Sequence, residues 1–413
     1  MTPSTPVHPP ARAGDLLVLA PCLPRPDGDA ASLRWFQLLR FLARHYRVHL
    51  GCRADPLRDG AQFSRVRALC HETCFVPPAG MRARLQPGAG GDAVLLDWAM
   101  RLCTRQPLRA VLACGAGMGG HLAALPQGLV RVVDFVELES DRRRRHGAVR
   151  PWPGAALWRR QARRLLAAER AAGAACDHAL FAGAADVARF RLFAPESAHK
   201  AQLLPSGIDP EHYSPHIVQR SPFQPGERAL VMAGPLDGPA GVDAARWLAH
   251  EVFAPLRAAD PSLALYLVGP PAAARANRRL SLLARQPGVT LGGEVADARP
   301  YLAHAALVLA PPGAGHAASM AVLAAMAMQK PVLGLPHALA GLACLTLPEA
   351  WAAADAPALR ARIGALLSGA DGSAATVGRA ARARVLREHD WNLRLAGLPA
   401  LFQAAPQPLA SAG

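Results

Sequence analysis

Charged residues are scarce in this 413-residue chain and make up 18% of it. Lysine is almost absent: Lys200 and Lys330 are the two lysines of the sequence. Aromatic residues make up only 5% of the chain, whereas 51% of it is hydrophobic. A chain so apolar and so weakly charged is not intrinsically disordered, because it has enough hydrophobic residues to bury a core. At about 100–200 residues per domain, the length favours two domains.

The eight cysteines lack the spacings of a metal or redox motif. No C-x-x-C occurs, and Cys70 and Cys74, the one close pair, have the spacing of a helical turn with no histidine pair to complete a zinc site. We therefore expect reduced, mostly buried thiols in a cytoplasmic protein and no bound metal.

Signals for export or for membrane insertion are also missing. The N-terminal residues MTPSTPVHPPARAGD contain no apolar core of a signal peptide, so we expect no export. The longest uncharged stretch, 300–329, contains Pro311, Pro312 and Gly313, which would interrupt a spanning helix. It is better explained as a strand, a tight loop and a buried helix, and we expect a soluble protein. The P-loop motif G-x-x-x-x-G-K-[ST] is absent as well, which disfavours P-loop ATPases.

Short apolar runs alternate with helical patterns along the whole chain. In the first half, strands are predicted at 15–21, 47–52, 109–114, 130–135 and 178–182. In the second half, they are predicted at 228–234, 263–269, 289–293, 305–311 and 331–336. Continuous apolar strands that alternate with helices indicate parallel sheets covered on both faces. We predict an α/β protein with two doubly wound Rossmann-like domains that face a cleft.

A segment rich in Pro, Ser and Gly separates the two series of strands. We predict an N-terminal domain at 1–205, a hinge linker at 206–227, a second domain at 228–371, and C-terminal helices at 372–413 that pack back towards the first domain. Ligands of such sheets bind beyond the carboxyl ends of the strands, so we expect them in the cleft.

Several polar residues follow predicted strands of the first domain. Gly28, Asp29 and Arg34 come after the first strand, where backbone N–H groups and a cation could bind a phosphate or a sugar hydroxyl. His121 is the last residue of the loop GAGMGGH, and Asp134 belongs to VVDFVELES, which could supply acid–base groups. An ordinary strand-to-helix turn and a solvated loop explain these residues equally well.

The excess of positive charge lies in the N-terminal half. Residues 1–200 carry 29 basic and 16 acidic side chains, and nine arginines fall between 142 and 164 with no acid among them. Four of them share one face of a predicted helix: Arg159, Arg160, Arg163 and Arg164. This face could rest on anionic lipid, and a solvated helix face is an equally good explanation. Nucleic acid ranks third, because no recognised binding module accompanies the charge.

Seven segments occur in an order that resembles one family: RVVDFVELESD, LWRRQARRLLAAER, LLPSGIDPEHYSP, VMAGPLDGPAGVDAARWLAHEVF, LYLVG, GVTLGGEVADARPYLAHAALVLAP and VLAAMAMQKPVLGLP. They resemble the sugar transferases of glycosyltransferase family 4 that are associated with PEP-CTERM/exosortase exopolysaccharide systems. The resemblance covers the chain from about Asp15 to about Leu401. It implies a GT-B fold, with the acceptor in the N-terminal domain and a nucleotide-sugar donor in the C-terminal one.

The same resemblance implies a metal-independent, retaining transfer to a glycan or polyprenyl-linked acceptor. The enzyme would be cytoplasmic and peripheral at the inner membrane, with the nucleotide-sugar as co-substrate and no other cofactor. The donor would lie at the strand ends of the second domain, and its predicted contacts are Gly234, Gly269, Gly293, Glu294, Gly313, Ser319 and Ala324. The catalytic candidates are His121, Asp134 and His316.

The chain departs from the family at several positions, among them Met320 and Ala321, where similar relatives have Asn-Lys, and GPLDGPAG, which lacks the usual Arg/Lys pair for the donor diphosphate. Relatives usually carry Glu at Ala324, where the carboxylate binds the donor ribose, and a further Glu at His316, near the transferred sugar. Losing a charge-assisted contact to the ribose should cost about 1.5–3 kcal/mol of donor affinity. Two alternatives stay open: a catalytically impaired GT-B protein that acts as a partner in a polysaccharide assembly complex, and a hydrolysing or epimerising enzyme on the same fold.

Overall fold

A computed structural model describes residues 14–26, 28–78, 91–148, 154–216, 220–234, 236, 239–269, 278–292, 297–312, 316–339, 352–369 and 374–403. The chain divides into two compact units. The first comprises Met1–Leu204 and Leu395–Gly413, and the second comprises Pro205–Arg394. Each unit is built around one parallel sheet.

The first unit contains a seven-stranded sheet. Its strands are β1 (Asp15–Ala20), β2 (Arg47–Arg53), β3 (Glu72–Val76), β4 (Leu108–Cys114), β5 (Val130–Val136), β6 (His178–Phe181) and β7 (Ala201–Leu203). They are ordered β3-β2-β1-β4-β5-β6-β7. Every residue of β1 and β5 is buried, because helices cover both faces of the sheet. The strand order reverses between β1 and β4, and doubly wound sheets bind ligands beside the carboxyl ends of such a pair.

Seven helices of the first unit follow its strands. They are α1 (Ala30–Leu42), α2 (Pro56–Arg67), α3 (Gly91–Arg105), α4 (Ala116–Gly119), α5 (Glu139–Ala148), α6 (Gly154–Ala175) and α7 (Ala184–Phe193). Aspartates cap two of them: the carboxylate of Asp29 accepts from the N–H of Ser32, and that of Asp55 accepts from the N–H of Leu57. These side chains satisfy backbone N–H groups that have no partner inside a helix.

The second unit contains a five-stranded sheet. Its strands are β8 (Arg228–Ala233), β9 (Leu263–Val268), β10 (Val289–Leu291), β11 (Leu307–Leu309) and β12 (Val332–Leu333). They are ordered β10-β9-β8-β11-β12, so the strand order reverses between β8 and β11. The helices are α8 (Pro239–Trp247), α9 (Ala254–Ala259), α10 (Arg278–Leu283), α11 (Arg299–His304), α12 (His316–Ala327), α13 (Pro336–Leu339), α14 (Ala356–Ser368), α15 (Ala374–Glu388) and α16 (Trp391–Leu395).

The chain then returns to the first unit through α17 (Leu398–Gln403). The ring of Phe402 meets that of Tyr46 edge-on at 5.9 Å, and the Tyr46 hydroxyl donates to the carbonyl of Pro399. The predicted α/β fold with two Rossmann-like domains is confirmed. The division into acceptor-side, linker and donor-side segments stays a prediction.

Candidate functional site

The predicted donor edge of the second unit consists largely of backbone. Gly234 follows β8 and Gly269 follows β9, and both are partly exposed. A Cβ added to Gly269 would lie 2.8 Å from the carbonyl oxygen of Gly234, so this position accepts no side chain. Across the β8–β11 reversal, the ring of Pro311 lies 3.7 Å from the Cβ position of Gly234. Close packing of the main chain therefore requires glycine at position 269, and neither glycine covers the end of its strand with a side chain.

Helix α12 follows β11 and so begins at the same edge. Ser319 is half-buried in its first turns, whereas Ala324 is only 4% exposed. The first turn carries no acidic residue. The predicted donor residues Gly293, Glu294 and Gly313 lie outside the described residues, and so does the side chain of His316.

The motif LLPSGIDPEHYSP is fixed against the C-terminal part of the second unit. Ile208 pairs with Asp390 in a parallel bridge, and its N–H donates to the carbonyl of His389 at 2.7 Å. Nδ1 of His389 lies 2.8 Å from the carbonyl oxygen of Ser206. A Cβ on Gly207 would lie 2.8 Å from the backbone and ring of Trp391. The motif is therefore a packing element, whose partner lies about 180 residues further along the chain.

Arg382 of α15 connects this segment to the end of α12. Its guanidinium donates to the carbonyl oxygens of Tyr213 at 3.1 Å and of Ala327. A second arginine, Arg299, also contacts this segment, because its guanidinium donates to the carbonyl of His212 at 3.3 Å. The same guanidinium binds both carboxylate oxygens of Asp297. Sequence reasoning missed both arginines, because nothing in the local pattern marks which carbonyls they reach.

In the first unit, the predicted acceptor residues Gly28 and Asp29 form the turn that starts α1. Asp29 accepts from the N–H of Ser32 at 2.8 Å, and the Ser32 hydroxyl donates to the carbonyl of Leu23 at 3.2 Å. A Cβ on Gly28 would lie 2.6 Å from the Ser32 hydroxyl. The turn is thus held by its own side chains, and the exposed Asp29 caps the helix.

Arg34 and Asp134, predicted to act at the acceptor side and in catalysis, bind each other. Nε of Arg34 lies 2.9 Å from Oδ2 of Asp134, and its NH2 lies 2.8 Å from Oδ1. The indole N–H of Trp35 donates to the same carboxylate at 3.1 Å. Both members of the ion pair are 0% exposed. The pair connects α1 to β5, and the predicted roles of these two residues in acceptor binding and catalysis stay predictions.

His121 lies on the same edge, beyond β4. It follows the short helix α4, and its Nε2 is 3.9 Å from Oδ2 of Asp92 at the start of α3. The other oxygen of Asp92 binds the guanidinium of Arg53. His121 is partly exposed, with 23% of its side chain accessible. Among the predicted catalytic residues whose side chains the structure describes, it is the one that remains accessible to a substrate.

The cysteines of the first unit are poorly suited to nucleophilic chemistry. Burial raises the pKa of Cys70 and that of Cys176 to about 12. Burial also raises the pKa of Cys114 well above its ordinary value. A thiol must lose its proton to attack, so these groups stay protonated and unreactive near neutral pH.

The arginines at 142–164 fall into two structurally different groups. Those of α5 are paired with acids that precede them in the chain: Arg142 with Glu137 and Glu139, Arg143 with Glu139, and Arg144 and Arg145 with Asp141. The four arginines of α6 are exposed and form no ion pair with any described residue: Arg159, Arg160, Arg163 and Arg164. Among the described arginines of this run, the ones without an acidic partner are therefore those of α6, and Arg150 lies outside the described residues. None of the helices in the described ranges is long and apolar enough to cross a bilayer.

Comparison with known proteins identifies the second unit. Residues 227–368 match the family model described as "Glycosyl transferases group 1". No curated protein matches the chain. Among solved structures, it is similar to a sucrose-phosphate synthase from Thermosynechococcus elongatus, with a TM-score of 0.66, 16% identity, and coverage of 94% of this chain and 98% of that one.

Two further structures cover nearly the whole chain. Anabaena HepE in complex with UDP and glucose has a TM-score of 0.62 and 14% identity, and the match covers 94% of this chain and 99% of that one. WaaG, a glycosyltransferase involved in lipopolysaccharide biosynthesis, has a TM-score of 0.61 and 16% identity, with coverage of 94% and 99%. The chain therefore has the GT-B fold, and its residues 227–368 form a group 1 glycosyl transferase domain, which together support a glycosyltransferase.

Proposed function

We propose that this protein transfers a sugar from a nucleotide-sugar bound by the second unit to a glycan or polyprenyl-linked acceptor bound by the first. We further propose that it belongs to glycosyltransferase family 4 and acts in exopolysaccharide synthesis of the PEP-CTERM/exosortase type. The transfer would retain the anomeric configuration and need no metal ion. The protein would work in the cytoplasm, at the inner-membrane surface.

The observation that carries this proposal is the position of the matched domain. Residues 227–368 contain the whole five-stranded sheet and its β8–β11 reversal. Gly234 and Gly269 follow β8 and β9, so no side chain of their own covers the main chain at these strand ends. Backbone N–H groups suit a diphosphate there, because they donate hydrogen bonds without the desolvation cost of a buried cation.

The first donor to test follows from a structural neighbour. HepE is described in complex with UDP-glucose as well as with UDP. We therefore propose a uridine diphosphate sugar as the donor.

On the acceptor side, His121 is the residue best placed to meet a substrate. Its two ring nitrogens can donate or accept a hydrogen bond, which suits contact with a sugar hydroxyl. Asp92 and Arg53 lie behind it and can hold its orientation. The buried pair of Arg34 and Asp134 would fix α1 to β5, and so hold the loop that carries Asp29.

A catalytically impaired GT-B protein that serves as a partner in an assembly complex remains the second candidate. The observation that favours it is the apolar character of α12, HAASMAVLAAMA, which offers no carboxylate to a donor ribose. Under this alternative, nucleotide affinity would be weak or absent while the fold is intact.

A donor screen separates these functions. UDP, UDP-glucose and other nucleotide-sugars are titrated by calorimetry, and product is then measured on a polyprenyl-diphosphate sugar acceptor with and without EDTA. Binding followed by EDTA-insensitive transfer supports the proposal, and the configuration of the product, determined by NMR, tests retention. Binding without transfer to any glycan or lipid-linked acceptor supports the impaired partner, and hydrolysis or epimerisation of the donor indicates the remaining alternative.

A Gly269→Val variant tests the location of the donor. Its added side chain would collide with the Gly234 carbonyl and displace the two strand ends at the proposed seat, so nucleotide affinity should fall at least tenfold, or about 1.4 kcal/mol. Gly364→Val is the control, because this residue lies within the helix α14 and nothing lies within 4 Å of a Cβ there. Circular dichroism and thermal unfolding verify that both variants fold. Unchanged affinity in a folded Gly269→Val protein would place the donor elsewhere.

A further inference from the structure

The outer face of α6 differs from the neighbouring arginines of α5 and from Arg170 in its lack of acidic partners among the described residues. Arg142–Arg145 are each paired with a carboxylate, and Arg170, near the end of α6, binds Glu196 at 2.9 Å. The α6 arginine face, defined as Arg159, Arg160, Arg163 and Arg164, has no such partner among the described residues. Its charge is therefore available to a ligand.

An exposed leucine lies within this face. Leu157 is 57% exposed, and Arg160 and Arg164 follow it at i+3 and i+7, positions that share one side of a helix. Further along the same side, alanines at 167, 168, 171 and 174 are exposed and project little from the helix. The face is therefore basic and apolar together, without bulky acidic groups.

The opposite side of α6 is firmly attached to the unit. Ala162, Glu169 and Ala172 are buried, and the Glu169 carboxylate accepts from the N–H of Ser140 at 3.0 Å and from its hydroxyl. A Cβ on Gly173 would lie 2.7 Å from the ring of Phe190, so α6 and α7 are in close contact. The helix cannot turn its arginines inwards, and the face is presented to solvent as a rigid surface.

We infer that the α6 arginine face, together with Leu157, docks the first unit on an anionic phospholipid bilayer, with the helix axis parallel to the surface. Guanidinium groups bind lipid phosphates in pairs of hydrogen bonds, and a short apolar side chain between them can enter the headgroup layer. A nucleic acid would satisfy the arginines but offers nothing to Leu157. Binding through this face does not depend on sugar transfer. It would bring the first unit to the membrane, where the proposed lipid-linked acceptor lies.

The test is co-sedimentation of the full chain with vesicles of phosphatidylcholine alone or with about one third phosphatidylglycerol. Each surface arginine is worth about fivefold in partitioning to an anionic bilayer, so Arg160→Gln with Arg164→Gln should weaken binding about 30-fold. The charge-matched control is Arg101→Gln with Arg170→Gln, which removes two exposed arginines that already have acidic partners, Asp97 and Glu196. It should change binding about twofold or less.

Leu157→Ala separates lipid insertion from simple attraction. With 57% of the residue exposed, its loss should weaken binding up to about tenfold without changing the charge. Raising the salt to about 1 M should release the wild type, because the Debye length shortens to about 3 Å.

Equal losses in the two arginine pairs, or equal binding to neutral vesicles, would overturn the inference. The inference would also be overturned if the wild-type protein stayed in the supernatant. Displacement of the wild type from vesicles by duplex DNA, added so that its phosphates equal the anionic lipids in number, would likewise overturn it. Thermal unfolding confirms that each variant is folded. Nucleotide-sugar binding is measured without vesicles, so its failure and failure of membrane docking are distinguished.

Discussion

Replacing Asp134 with asparagine is expected to destabilise the first unit by about 3–5 kcal/mol, because it removes the carboxylate that accepts two hydrogen bonds from the buried Arg34 guanidinium. The carboxylate now accepts from Arg34 at 2.8 and 2.9 Å and from the indole of Trp35 at 3.1 Å. An asparagine amide keeps only one acceptor oxygen and turns an N–H₂ group towards these donors. Since both charged groups are 0% exposed, water cannot replace the lost partner.

Native-state hydrogen exchange of the β5 amides measures this loss in the first unit alone, where a whole-chain melting curve would combine both units. The matched control is Asp97→Asn, which breaks a surface pair with Arg101 whose side chains are 61% and 64% exposed. It should cost less than about 0.5 kcal/mol. Replacing both members of the buried pair, Arg34→Met with Asp134→Leu, should restore most of the stability. If Asp134→Asn costs no more than Asp97→Asn, the pair does not hold α1 to the sheet.

Three further predictions concern the second unit. Gly378→Ala should destabilise it by at least about 2 kcal/mol, since the new Cβ would lie 1.8 Å from the carbonyl oxygen of Gln329. Gly364→Ala, in open space on α14, should stabilise it by about 0.5–1 kcal/mol. Urea unfolding compares the two variants, and equal effects would contradict the close packing of Gly378 against Gln329. Burial lowers the pKa of His389, so the unfolded chain binds a proton more readily, and the stability of the unit should fall as the pH drops below about 6.5. A His389→Gln variant should lose less stability between about pH 7 and 5. Parallel curves of stability against pH for the two proteins would refute this prediction. Ala324→Glu should raise nucleotide-sugar affinity about 10–100-fold if the donor ribose lies beside this residue. Because the position is 4% exposed, a buried carboxylate can destabilise the protein, so a melting curve accompanies the calorimetry. Unchanged affinity in a folded variant would contradict the predicted ribose contact.

Periodic apolar runs were sufficient to predict most of the two sheets. β1 and β9 read as continuous hydrophobic segments because both of their faces are covered, and each was predicted within one residue of its observed limits. β3 escaped prediction because its residues ETCFV lie at the sheet edge and are mostly half-exposed, so the apolar run is broken. β7 has three residues, too few to show a period.

Residue types also indicated which strand ends carry polar groups, but they did not indicate the partners of these groups. Arg34 and Asp134 both follow or end predicted strands, and the sequence suggested that each meets a ligand. They are instead bound to each other across 100 positions, because the strand order brings β5 beside β4 and β4 beside β1. His121 remains a candidate because its loop stays at the surface.

The nine arginines at 142–164 illustrate the same division. The amino-acid sequence by itself determined the excess of charge and its helical spacing on α6, since both depend only on residue type and on a fixed number of residues per turn. The pairing of the α5 arginines also follows from local spacing, because Glu139 and Asp141 lie three or four residues before Arg142–Arg145 on the same helix. Only the tertiary structure decided the long-range partners, such as Arg189, which reaches Asp141 from α7, and Arg34, which reaches Asp134 across 100 positions. Local periodicity and local pairing follow from backbone geometry, whereas long-range pairing depends on which segments the fold brings within a few ångströms, and no local pattern encodes that distance.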